Sequence, residues 1–144
     1  NEYVFIYGYI DSFVNVALGQ PATQSSTYVG KKLHGDKENF NYSASLAVDG
    51  NNSTDFRFDS CSNTDAGNTS AWWIVHLNGT YPITKVVIYQ RSDKFPERNA
   101  GSRIYGLKDN NKYILLKTLS TSDSSVVTID VPSSDNRFKA IRID

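Results

Sequence analysis

Eight short apolar runs, none longer than eight residues, constrain this chain more than any other feature. They are YVFIY (3–7), VNVAL (14–18), WWIVHL (72–77), ITKVVIYQ (83–90), SRIYGL (102–107), KYILLK (112–117), SVVTIDV (125–131) and FKAIRI (138–143). Each is rich in β-branched or aromatic residues, and stretches of Gly, Asn, Asp and Ser separate them. No segment sustains a 3.6-residue apolar period, so helices cannot bury a continuous stripe here. Strands punctuated by turns predict an all-β sandwich of two packed sheets. With 144 residues the chain has enough material for one domain spanning 1–144. The longest apolar run is far short of the roughly 20 residues that cross a bilayer as a helix, so no membrane insertion is expected.

Fifteen basic residues balance fifteen acidic ones. A protein without a global positive field does not gather nucleic acid or anionic lipid, so any arginine-based recognition must be local. N-glycosylation triplets occur at Asn41, at the overlapping pair Asn51 and Asn52, at Asn68 and at Asn78. Together with the composition they favour a secreted, extracellular protein, although a chain so rich in Asn, Ser and Thr produces some triplets by chance. Cys61 is the single cysteine. It is either a small buried hydrophobe or the survivor of a pair. The chain holds no methionine, which suggests a piece of a longer protein.

Residues 19 to 71 form the longest stretch without a strand pattern, and such loops are functional or tied down. Within it AVDGNNSTDF (47–56) gathers oxygen donors around a turn glycine. Asp49 with Asn51 and neighbouring carbonyls can surround a hard cation such as calcium, but an ordinary Asx-turn is the plainer reading from composition. In WWIVHL, Trp73, Val75 and Leu77 share one face, and Trp72, Ile74 and His76 share the other. One face belongs in the core, leaving His76 partly exposed. His34 has no partner at metal-ligand spacing, which leaves zinc without support.

The turn RSDKFPER (91–98) carries more charge than a strand connection needs. Arg91 and Arg98 are seven apart, with Asp93 and Glu97 between them. Taken alone, the turn reads first as a surface ion-pair cluster. The other reading is a polar clamp: a guanidinium fork bridges adjacent hydroxyls as it bridges a carboxylate, carboxylates orient the fork, and Phe95 offers an apolar face. Catalysis has little support. No nucleophile elbow or phosphate loop is present, and carboxylates beside arginines stay ionised and make poor general acids.

Read together, NVALGQPATQSSTY (15–28), ASLAVDGNNSTDFRFDSCS (44–62), AWWIVHL (71–77), ITKVVIYQRSD (83–93) and ER (97–98) resemble the F-type lectin family of eel-agglutinin type, over residues 13 to 143. The resemblance implies an eight-stranded jelly-roll β-sandwich of galactose-binding, discoidin-like kind. It also implies a non-catalytic lectin for terminal L-fucose, with a structural calcium ion and fucosylated glycans as partners. By position, Arg91 and Arg98 match the family's sugar-binding arginines and Asp93 its acidic member. Asn63 stands where the family has a histidine; it is shorter and cannot carry a positive charge. Phe95, with Lys94, stands where eel-type members place two adjacent cysteines, and Phe95 can pack on the C6 methyl of fucose.

For calcium, the resemblance implies the carbonyls of Leu46 and Asn51, the Asp49 side chain, and Ser60 nearby. The family's remaining ligands come from a last strand of the type LCEVEVYG, whose cysteine pairs with the one matching Cys61. This chain ends at FKAIRID but begins NEYVFIYG. The expectation is a displaced terminal strand in residues 1–8 ahead of a main body in 13–144. Residues 2–7 would then fill the last-strand place beside residues near 138–143, Glu2 supplying the missing calcium ligand. Circular permutation and excision from tandem repeats both produce this order, and bivalve sperm bindins resemble the second, which raises roles in gamete or self–nonself recognition and multivalency through repeats. The competing expectation is an adhesion or spacer module that has lost fucose binding along with the histidine.

Overall fold

The computed structural model describes residues 2–9, 14–32, 38–67, 69–93 and 96–144, with backbone placement alone for 2–9 and 96. Eleven strands are present among the described residues: β1 (Glu2–Tyr9), β2 (Ala22–Gln24), β3 (Val29–Lys31), β4 (Asn39–Asn41), β5 (Ser62–Asn63), β6 (Trp73–Pro82), β7 (Lys85–Gln90), β8 (Arg103–Leu107), β9 (Tyr113–Thr118), β10 (Val126–Asp130) and β11 (Arg137–Ile143). They form a four-stranded sheet ordered β10-β7-β1-β5, a five-stranded sheet ordered β2-β6-β11-β8-β9, and the short β3-β4 ribbon. Every pairing is antiparallel. Helical structure among the described residues is limited to short 3₁₀ turns, none long and apolar enough to cross a membrane.

The two-residue period places the core. Trp73, Val75 and Leu77 of β6 are fully buried, as are Val86 and Ile88 of β7 and Phe138, Ile141 and Ile143 of β11. The Trp73 indole N–H donates to the Ala44 carbonyl at 3.0 Å, so the one polar atom of the largest core ring is satisfied. Replacing Trp73 by alanine would cost about 3–5 kcal/mol. His76 is exposed, as its alternating position requires. At Gly106 a Cβ would lie 2.5 Å from the buried Phe138 ring, so only glycine fits where β8 passes β11. In β6, Asn78 and Gly79 both take positive φ (59° and 150°) and interrupt the register with β11.

Seven of the eight apolar runs are strands. VNVAL is the exception: Asn15 Oδ1 accepts the Ala17 N–H at 3.1 Å, and Gly19 turns the chain at φ +68°. From this turn Ala17 is fully buried and Val16 packs against the core, while Val14 and Leu18 are exposed. The strand count exceeds eight because β2, β3, β4 and β5 have only two or three residues and leave no periodic signal.

The displaced-strand expectation needs one correction. β1 does enter a sheet, but its neighbours are β7 and β5 rather than residues 138–143. β11 has both hydrogen-bonding edges taken, by β6 and β8, and so offers no edge to a third strand. β7 has one edge on β10 and would leave the other bare without β1.

Candidate functional site

Arg91 follows directly on the last residue of β7 and is 9% exposed. Its Nε donates to Asp93 Oδ1 at 2.7 Å and its Nη2 to Asp93 Oδ2 at 2.9 Å, a two-point pair that fixes the plane of the guanidinium. The same guanidinium lies over the Phe56 ring, 4.3 Å from its centroid. The Phe56 backbone N–H donates to Asp93 Oδ1 at 3.1 Å, so one residue supports both members of the pair. The hydrogen bond from Arg91 holds the Asp93 carboxyl below the usual carboxylate range, against the opposing effect of burial and with the Phe56 N–H assisting.

Aromatic rings continue beneath this pair. Phe56 stacks on Tyr42 with centroids 4.8 Å apart and planes 14° from parallel, and Tyr42 touches Phe40 and Tyr28. Tyr42 is fully buried and its hydroxyl donates to Asp59 Oδ1 at 2.9 Å. Burial first, and that hydrogen bond second, push the phenol above its ordinary pKa. Cys61 is buried in the same cluster and forms no disulfide among the described residues. Phe56 was missed as a site residue in the sequence, where AVDGNNSTDF (47–56) was read only for its oxygens. The useful signal was an aromatic residue in a polar loop that must fold against an arginine.

Asn63 reaches the same end of the four-stranded sheet from the other side. Glu2 pairs with Asn63, and Tyr3 pairs with Ser62 on one edge and Gln90 on the other. Arg91 and Asn63 therefore leave the sheet with one strand between them, about 10 Å apart at the backbone. The Asn63 main chain is engaged, its N–H donating to the Tyr42 carbonyl and its C=O accepting from Tyr28 N–H and Gln24 Nε2. Arg98 is exposed on the 3₁₀ turn Pro96–Asn99. Lys94 and Phe95 lie outside the described residues, as does the Glu2 side chain.

The oxygen-rich loop is built from Asx turns. Asp49 Oδ1 accepts the Asn51 N–H at 2.8 Å, Asn51 Oδ1 accepts the Ser53 N–H at 3.0 Å, and Gly50 sits at φ +98°. Buried Ser60 donates its hydroxyl to the Ser53 carbonyl at 3.0 Å and closes the loop, while Leu46 sits on the 3₁₀ turn Ala44–Val48 that packs on β1 and β5. No group of three or more His, Cys, Asp or Glu comes together among the described residues. The donors are carboxylate, carbonyl and hydroxyl oxygens, a set that suits a hard cation and not a soft one. The loop is stitched to the arginine turn: Ser92 N–H donates to the Thr54 carbonyl at 2.8 Å, and the Thr54 and Ser92 hydroxyls meet at 2.8 Å.

A β-sandwich that presents a braced arginine at one end has the geometry of a module that holds a polar ligand. The family described as the NedA-like, galactose-binding domain of F5/F8 type C matches residues 46–141. Fucolectin-3 of Anguilla japonica is 42% identical over 97 residues, 67% of this chain and 48% of that protein. The chain spans about half the length of the curated relatives it matches. Among solved structures, a Streptococcus pneumoniae fucose binding module superposes with a TM-score of 0.75 at 27% identity, covering 91% of this chain and 85% of the module. A serum F-lectin of Morone saxatilis superposes with a TM-score of 0.69 at 27% identity, over 99% of this chain and 43% of the lectin. The chain belongs to the F5/F8 type C galactose-binding family and, within it, to the F-type lectins.

Proposed function

We propose that this domain is an extracellular lectin that holds terminal L-fucose at a shallow site around Arg91, with Asp93, Arg98, Asn63 and Phe95 contributing. The observation that carries the reading is the Arg91–Asp93 pair over Phe56, in which a guanidinium is held in a fixed plane before any ligand arrives. Preorganisation of this kind spares a ligand the cost of ordering a long side chain. Fucose is uncharged, so its vicinal hydroxyls and ring oxygen suit guanidinium forks and an amide, and its C6 methyl suits Phe95. Fucosylated glycans on glycoproteins or cell surfaces are the partners this chemistry fits, and multivalency through repeats would supply the avidity that a shallow site lacks.

Calcium is the structural ion in this reading, held by the carbonyls of Leu46 and Asn51, the Asp49 carboxylate, Ser60 and Glu2. Bound there, it would supply a cross-link between the 3₁₀ turn and the loop that carries Phe56. The Thr54–Ser92 and Phe56–Asp93 hydrogen bonds would then pass that rigidity to Arg91. The deciding experiment is a glycan array with the wild-type domain and Arg91→Ala. Binding confined to fucosylated glycans and lost in a folded Arg91→Ala supports the proposal; no fucosylated hit at high protein density overturns it in favour of a spacer or adhesion module.

A further inference from the structure

The chain repeats the Arg-x-Asp arrangement at the end of its last strand. Arg142 Nε donates to Asp144 Oδ1 at 2.5 Å, two residues on, as Arg91 Nε donates to Asp93. Arg142 also lies against aromatic rings, 5.3 Å from the Trp72 centroid and 5.6 Å from that of Tyr113. Tyr113 in turn meets Tyr105 edge-on at 5.9 Å. Register explains the gathering: Arg142 pairs with Tyr105 across β11 and β8, and β9 lies on the far side of β8. All of this is on the outward face of the five-stranded sheet, beside the small apolar cluster of Ile74, Leu107 and Ala140.

Tyr105, Tyr113, Arg142 and Asp144 line an open cavity of about 300 Å³, at the lower end of the range for ligand pockets. The Arg142 and Asp144 side chains keep about 27% and 30% of their surface exposed, and Tyr113 is 43% exposed. We propose that this cavity is a second sugar site, on the opposite sheet from Arg91, that takes a neutral pyranose. As a unit the Arg142–Asp144 pair has no net charge, so it matches a ligand that is uncharged and presents donors and acceptors on adjacent atoms. A vicinal diol does this, while the two tyrosine rings suit the CH face of the same ring. A phosphate or carboxylate ligand would face the Asp144 carboxylate. The site is built from its own residues and stands whether or not Arg91 binds fucose.

The test uses the Arg91→Ala protein, so that the first site is silent, and follows the Trp72 indole and Tyr113 ring signals by NMR. Methyl β-D-galactopyranoside and methyl α-L-fucopyranoside are titrated separately. Saturable shifts at Trp72 and Tyr113 with either glycoside are expected, both lost in Arg142→Lys and the Trp72 shift lost in the surface change Tyr113→Ala. Glycoside shifts that do not saturate, or that survive both changes, overturn the second site. Wild-type protein that shows the Trp72 and Tyr113 shifts but no additional fucoside binding removed by Arg91→Ala would overturn only the first.

Discussion

Phe56 and Arg91 act as one unit: the ring supports the guanidinium at 4.3 Å while the Phe56 backbone N–H binds the carboxylate that orients it. Phe56→Leu keeps most of the buried volume and removes the π face. A desolvated cation–π contact contributes about 1–2 kcal/mol, so methyl α-L-fucoside affinity should fall by about ten-fold with little loss of thermal stability. Calorimetric titration beside a melting curve separates the two effects, and unchanged affinity would mean that the stack does not hold Arg91.

Acid should release the clamp. The Asp93 carboxyl is held below its ordinary value by Arg91. A group with a depressed native pKa contributes fully above its unfolded value of about 3.9 and loses that contribution as pH falls through the lower native one. Fucoside affinity should therefore be level from neutral pH to about 4 and fall below it, whereas Asp93→Asn should be weak throughout. A midpoint near the histidine range would assign the titration to another group.

Asn63→His should strengthen the site. The Asn63 backbone N–H and C=O are both used within the fold, so the change alters only the side chain. One added hydrogen bond of about 1 kcal/mol corresponds to about five-fold tighter fucoside binding, measurable by the same titration. Weaker binding by a folded variant would show that the asparagine is itself the preferred partner.

Chelation should lower both stability and affinity. An ion present at about 100 times its dissociation constant contributes about 2.7 kcal/mol, equivalent to several degrees of melting temperature in a domain of this size. Calorimetry with EDTA, then with calcium restored, checks this; an unchanged transition would remove calcium from the loop.

Deleting residues 1–9 should unfold the domain or leave it aggregating. The deletion empties the position between β7 and β5 and strands hydrogen-bonding groups along both. A melt close to that of the intact chain would show that the two strands close on each other.

The sandwich was legible because the long strands carry a two-residue period: in WWIVHL and FKAIRI, Trp73 and Val75, and Ile141 and Ile143, share a face and are fully buried. VNVAL was misread because Asn15 and Gly19 prescribe a turn whatever the apolar content between them. The neighbours of β1 were not legible, since a strand pattern says that an edge is needed and not which edge is open. At the site, Arg91 and Asp93 could be seen as a pair from their spacing. Phe56 could not, because its contact depends on the fold of a loop 35 residues earlier in the chain.

The placing of β1 bears on how the chain is made. During synthesis EYVFIYGY leaves the ribosome well before Ser62 and the Lys85–Gln90 strand, the segments that flank it. Until those arrive, an apolar strand with two bare edges is exposed to pairing with other nascent chains. Rapid elongation through residue 90, or a chaperone, would shorten or shield that exposure of the segment that finally lies inside its sheet.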